Sequence, residues 1–345
     1  MGIMIVFSSA TAGSNRVKIE EETVRIAKRN GKHLRIINLV DEMLKAAASL
    51  NKSLDATMLP NLDKKVLDVL KESAMRSVSD TISADQDADF IIDGHISFWW
   101  KNGPISLLNM EDFRELNPDL FITVLSPPGE VAESLKGKQE WTSKDVDVYE
   151  VLLWSEVELY TADLVSRTLG KTNYTIGVGE NPITLYNLIY HPEMLKVYMS
   201  YSMEHRKIGY TNVGRFMAKL RKLAIVFDPA SVDLGAYKYA YDKKLKEVVF
   251  NQTVRRDYHM IDQADMVVIH LSRLVYSSGV DSERMHAHST GKRVLLYFPF
   301  KKYSPFTPYF VDRMFSKEDE LLKAMKDAVK AHAAKSVALK LTRYD

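Results

Sequence analysis

The sequence predicts an α/β protein made of two successive doubly wound parallel-sheet units, the second smaller than the first. Short runs rich in Val, Ile, Leu and Phe alternate with amphipathic stretches along the whole chain, as expected for strands covered by helices on both faces. The alternation pauses at "NPITLYNLIYHPEM", residues 181–194, and then starts again with a new apolar run. With 345 residues there is enough chain for two hydrophobic cores.

In the first unit, strands are expected at Ile3–Phe7, His33–Asn38, Asp89–Asp93, Leu120–Leu125 and Asn173–Gly177. Helical periodicity marks Val17–Asn30, Asp63–Ala84 and Val148–Leu169. The second unit opens with the strand "LKVYMSYS", residues 195–202, followed by a helix over Val213–Lys222 and the strand "LAIVFDP", residues 223–229. A charged helix is expected near Leu234–Lys246, then a short helix leading to the strand "ADMVVIHLS", residues 264–272. A helix opening near Asp281, the strand "KRVLLYFP" (residues 292–299) and a terminal helix from Ser316 complete it. The expected domains are residues 1–192 and 193–345, and they do not repeat each other in sequence.

Composition narrows the function classes. A net charge of +2 gives no bulk attraction to nucleic acid or a membrane. The absence of cysteine excludes disulfides, zinc–thiolate sites and thiol nucleophiles. No apolar run approaches the ~18–20 residues of a membrane-spanning helix, and "MGIMIVFSSA" lacks a basic leader, so a cytoplasmic protein is expected.

The first unit opens with a strand followed by "FSSATAGSNRVK", residues 7–18, and a helix. That is the outline of a P-loop, G-x-x-x-x-G-K-[ST], whose glycines, lysine and hydroxyl cradle phosphates and magnesium. Aligned on Gly13, the loop has Ser8 at the first glycine, Ser14 at the lysine and Asn15 at the hydroxyl, so one anchor of the motif remains. Further on, "IDGH" (Asp93–His95 at its end) and "LNPD" (Leu116–Asp119) frame a strand, a loop and a second strand. On these residues the first 190 or so positions resemble archaeal-type adenylate kinases and related small nucleotide kinases. The resemblance implies a P-loop domain with a possible ATP-like nucleotide near Gly13, Ser14, Asn15, Arg16 and Asp93. Phosphoryl transfer relies on cations around the moving group. Here the loop lysine is missing and the expected lid, roughly residues 133–150, has no arginine. The expectation is a degenerate nucleotide-binding domain. Arg16, two positions past the lysine's place, is shifted along the helix and expected to point elsewhere, and His95 is expected as a loop or core residue.

The second unit carries an ordered set of residues: Tyr198 and Ser202 at its first strand, Arg256-Asp257, Asp265 and Val268, then Ser277, Gly279 and Glu283, with Ala287 and Gly291-Lys292 following. In open α/β sheets ligands bind beyond the carboxyl ends of the strands, where residues 277–283 are expected to lie. This set resembles the nucleoside 2-deoxyribosyltransferase superfamily, which includes the 2'-deoxynucleoside 5'-phosphate N-hydrolases. The resemblance implies cleavage or transfer of an N-glycosidic bond with no cofactor and no metal. Glu283 would be the nucleophile, Asp257 the acid or positioning group, and Tyr198 the residue that orients Glu283. Ser202, Ser277, Ser278 and Gly279 would contact the sugar or a 5'-phosphate, and Arg206 would hold that phosphate. It also implies a homo-oligomer, since members generally complete their sites across a dimer. His286 and His288, two apart on a helix, point to different faces and make poor metal ligands. The loop before Ser277 is about two residues longer than the family pattern. The substrate therefore stays open between nucleoside, nucleotide and a dinucleotide such as NAD. Beside this reading stand a non-catalytic nucleotide sensor, an NAD-cleaving effector and an active small nucleotide kinase.

Overall fold

The strands form where apolar runs are longest, and in each unit they line up as one parallel sheet. The computed structural model describes residues 2–100, 103–136, 146–203, 210–236, 238–274 and 276–341. Two compact units are present, one comprising Met1–Pro182 with Val232–Thr253, the other Ile183–Ser231 with Val254–Asp345.

The first unit runs β1 (Ile5–Ser9), α1 (Val17–Arg29), β2 (Leu34–Asn38), α2 (Leu39–Ser49), α3 (Lys64–Ala84), β3 (Asp89–Gly94), β4 (Ser97–Trp100), β5 (Gly103–Ser106), α4 (Met110–Leu116), β6 (Leu120–Leu125), α5 (Pro128–Leu135), α6 (Val148–Thr168) and β7 (Thr172–Gly177). Its five-stranded sheet has the order β2-β3-β1-β6-β7, with every pairing parallel. β4 and β5 form a separate antiparallel pair. Every residue of β6 is buried, as a strand covered on both faces requires. Phe7 meets Phe113 edge-on at 5.0 Å and Phe121 at 5.8 Å, tying α4 and β6 to the central strand.

The "LNPD" segment has a clear structural task. Leu116 ends α4, Asn117 takes the left-handed conformation at φ 46°, and the Asp119 carboxylate accepts the Ile5 N–H at 2.9 Å. The turn thus stops a helix and sets the register of β1.

The second unit holds α7 (Pro182–Tyr190, all but its first residue), β8 (Lys196–Ser200), α8 (Tyr210–Leu220), β9 (Ile225–Phe227), the later part of α9 (Lys246–Asp262), β10 (Met266–His270), α10 (Ser278–Ser289), β11 (Arg293–Tyr297), α11 (Phe306–Tyr309), β12 (Arg313–Phe315) and α12 (Glu318–Leu341). The parallel order β12-β11-β10-β8-β9 is 2-1-3-4-5 when the strands are counted within the unit, the flavodoxin-like winding. α8 and α12 bury Phe216, Met217, Leu321 and Met325 against Val197, Met199, Val268 and Leu295. The period-two alternation of β8 then sends Tyr198 and Ser200 to the opposite face. The fold class is therefore the one expected, two doubly wound α/β units.

Three local expectations need correction. The charged helix near Leu234–Lys246 is absent among the described residues, which form turns there. Gly235 sits at φ +82°, and the Asp242 carboxylate accepts the Lys244 and Leu245 N–H groups, so helix begins only at Lys246. The units divide at Pro182/Ile183 rather than at residue 192. Thr184 Oγ1 on α7 donates to the Val226 carbonyl at 3.1 Å, which places that helix with the second sheet. Finally, Val232–Thr253 counts with the first unit, where Gln252 donates to the Leu152 carbonyl at 3.2 Å and Lys244 meets Asp147 at 2.6 Å.

Candidate functional site

In the first unit the carboxyl ends of β1 and β3 meet the start of α1, the usual place for a phosphate. Gly13 takes φ +77° at the apex of the loop, and the Ser14 N–H closes a turn on the Thr11 carbonyl at 3.2 Å. Ser14 is half-buried and Asn15 exposed. Arg16 corrects the expectation set out above, because its guanidinium turns inward. It pairs with Asp93 through two nitrogens, donates to the Ala10 carbonyl at 3.2 Å and lies 3.8 Å from Glu20. Asn38 donates to the other Asp93 oxygen at 2.7 Å.

Burial pushes the Glu20 carboxyl up to about 7, with the Asp93 charge adding to the rise and Arg16 and Ser8 opposing it. His95 is pulled down to about 4 by burial and by the Arg16 charge, so its neutral ring donates Nδ1–H to the Ala10 carbonyl at 2.6 Å. That is the loop or core role expected of it. The loop thus joins strand to helix through a tight turn with a left-handed glycine, and its one inward-facing cation among the described residues is already engaged by carboxylates. Residues 137–145, half of the expected lid, lie outside the described residues.

The second unit gathers a different set. Glu283 lies on the second turn of α10, whose N-cap Ser277 accepts the Val280 N–H at 3.4 Å. Tyr198 donates its hydroxyl to Glu283 Oε1 at 3.0 Å, and Ser200 donates to Oε2 at 2.5 Å. Tyr198 and Ser200 are each fully buried and Glu283 nearly so. Burial first, then the negative charge of Asp257, raises Glu283 to about 8; the hydroxyls of Ser200 and Tyr198 and the Arg256 charge pull the other way. Asp257 is itself raised by burial, against Arg256, which donates to its Oδ1 from Nε at 3.0 Å and from Nη2 at 2.7 Å. Tyr198 stays a phenol, driven well above its ordinary range by burial, Glu283 and Asp257.

Tyr198, Glu283 and Asp257 thus share one electrostatic neighbourhood. Ser202 is buried just past the end of β8, and Ser278 and Gly279 are exposed on the first turn of α10. Arg206 lies outside the described residues. Asp281 is taken up by Arg284 at 2.8 Å.

Two features escape the sequence reading. Ser200 is two residues after Tyr198, and that spacing on a strand was the available signal. The other is a brace between α9 and α10. Tyr258 bonds Ser282 and stacks on His286 with ring centroids 4.0 Å apart and planes 3° from parallel. His286 Nε2 in turn lies 2.8 Å from Asp262. His288 packs its ring edge against Phe310 instead, so the two histidines do face apart.

Comparisons bear on the first unit. A family model described as "AAA domain" matches residues 23–152, beginning after the loop of residues 7–18. It supports a P-loop kinase-like, nucleotide-binding type of domain there, and no comparable support exists for a deoxyribosyltransferase in the second unit. Among curated proteins no match was found. Among solved structures, a conserved protein from Enterococcus faecalis V583 is similar at 18% identity, over 39% of this chain and 99% of that one, with a TM-score of 0.28. A likeness at that score bears on neither fold nor function. Among the described residues no helix is long and apolar enough to cross a membrane.

Proposed function

We propose that the second unit cleaves or transfers the N-glycosidic bond of a nucleotide or (deoxy)nucleoside, with Glu283 as the nucleophile. One observation carries this reading: a buried glutamate bonded by the Tyr198 hydroxyl feels the charge of a second, half-buried carboxylate, Asp257. Glu283 lies on the helix that follows β10 in a 2-1-3-4-5 sheet and bonds Ser200, the last residue of β8, on the side where such folds bind ligands.

The chemistry follows from two carboxyls that resist ionising together. At rest the Asp257 charge helps to keep the proton on Glu283, and the reactive arrangement is the reverse one, with the proton on Asp257 and Glu283 ionised. Glu283 attacks the anomeric carbon as positive charge develops on the sugar, and Asp257 delivers its proton to the departing base. Water then releases the sugar from Glu283, or a second base accepts it. Tyr198, kept neutral, donates to Glu283 and fixes its direction. Ser202, Ser277, Ser278 and Gly279 are proposed as sugar or phosphate contacts. In the first unit we propose nucleotide binding at the loop around Gly13, Ser14 and Asn15 without phosphoryl transfer. Arg16 and Asp93 engage each other there, and no loop lysine is available. A homo-oligomer belongs to the same reading.

The test is direct. The full chain is incubated with a panel of nucleosides, (deoxy)nucleotides and NAD, and released base is measured by chromatography. Release by wild type and its loss in Glu283→Gln are expected. No release from any substrate, or equal release by the variant, overturns the proposal and favours a non-catalytic nucleotide sensor.

A further inference from the structure

Glu283 has two carboxyl oxygens, and Tyr198 holds only one of them. The other accepts from Ser200, which nothing in the family pattern marks as functional. Both donors come from β8 two residues apart, so the pleat of one strand delivers both hydroxyls to the same carboxyl group. The glutamate terminal torsion is broad, and a carboxylate tethered at one oxygen can still swing about its last carbon–carbon bond. Tethered at both oxygens, its plane is set. Asp257 acts on the same carboxyl electrostatically, but no hydrogen bond from Asp257 to it is present among the described residues.

We propose that Ser200 is a positioning residue: with Tyr198 it clamps both oxygens of Glu283 and fixes the plane in which that carboxylate meets the anomeric carbon. This rests on the reading of Glu283 as the reacting group. Clamping acts on rate more than on substrate binding, because small misplacement of a reacting atom costs far more in the transition state than in the ground state. A donor to a carboxylate also favours its ionised form, so Ser200 lowers the pH at which Glu283 loses its proton. A merely structural bond would move the Glu283 titration but leave kcat unchanged. It would satisfy a buried hydroxyl and otherwise show only as stability.

The experiment compares wild type with Ser200→Ala and Ser200→Thr, the second of which keeps the hydroxyl. Base release is followed for kcat and KM against pH. Separately, the Glu283 carboxyl is titrated by carbon-13 NMR, assigned through Glu283→Gln, a readout that needs no turnover. Ser200→Ala is expected to lower kcat on the order of 10- to 100-fold with KM little changed. It is also expected to move both the rate's acid limb and the Glu283 titration to higher pH, and Ser200→Thr to return them. If the alanine variant does not fold, Ser200→Cys, close in size and a weaker donor, is expected to shift both in the same direction. An unchanged kcat, or a Glu283 titration and acid limb left at their wild-type positions, would overturn the proposal. Should wild type release no base from any substrate, the reading of Glu283 as nucleophile fails. The NMR titration then decides alone whether Ser200 holds its carboxyl.

Discussion

Replacing Glu283 by glutamine is expected to make the protein more stable as pH rises, relative to wild type. Burial and Asp257 hold this carboxyl near 8 in the folded chain, against 4.5 for an ordinary glutamate. Between those values the native state keeps a proton that the unfolded chain has given up. Stability therefore falls with rising pH, by up to about 1.4 kcal/mol per pH unit for one proton. The loss is absent below the unfolded value and complete above the folded one. From pH 5 to pH 7.5 it sums to about 3 kcal/mol, and glutamine, which does not ionise, is spared it. For a unit of this size a kcal/mol moves the midpoint by roughly 3 °C, so the melting temperature of Glu283→Gln should gain roughly 10 °C on wild type over that interval. Any fixed effect of the amide on packing cancels in the comparison of the two pH values. All four tryptophans lie between residues 99 and 154, so tryptophan fluorescence reports the first unit. Calorimetry shows the second unit's transition as the one that fluorescence does not follow. A gap between variant and wild type that stays constant or shrinks with pH would refute the reasoning, because Glu283 would then be ionised in the folded state.

Two further expectations concern the loop of the first unit. Arg16→Ala removes the cation held against buried Asp93 and Glu20, and should cost about 3–5 kcal/mol, read as an earlier denaturant midpoint by tryptophan fluorescence; Arg16→Met with Asp93→Asn should recover part of it. Gly13→Ala forces a side chain into φ +77° and drives its Cβ against Ser134 Oγ and to 3.0 Å from Leu135 Cγ, for a loss of about 1–3 kcal/mol; adding Ser134→Ala should relieve the Ser134 part of the clash and leave the backbone share in the same measurement.

The central strands of both sheets are legible in the sequence because strands buried on both faces read as unbroken apolar runs. β6 is expected and observed over the same residues, Leu120–Leu125. Long helices with caps are legible for a similar reason: Asp147 and Glu150 close a capping box at the start of α6. The segment 234–246 misleads because lysines spaced among tyrosines and leucines mimic an amphipathic face. Backbone N–H groups there go to the Asp242 carboxylate, and Gly235 takes a conformation no helix uses. Arg16 is misread from loop-to-helix counting, which ignores that a long side chain at a helix start can fold back under the loop. What Asp93 and Glu20 offer such a cation depends on three strands and a helix coming together, and no local pattern records that. Ser200 is hidden differently, since in a buried strand a serine reads as a small filler until its partner 83 residues away is known.

The brace between α9 and α10 separates two properties that the proposed reaction would need to tune. Asp257 is followed by Tyr258 and Glu283 is preceded by Ser282, and it is Tyr258 and Ser282 that bond. The relative placement of the carboxylates is thereby set by one helix seated on another, with His286 stacked as a second fastening. Among the described residues before α10, 271–274 and 276–277 do not enter that fastening. Lengthening or recolouring that loop could reshape what is admitted to the crevice and leave the acid pair where it is. Selectivity and reactivity would then be able to evolve along different stretches of chain.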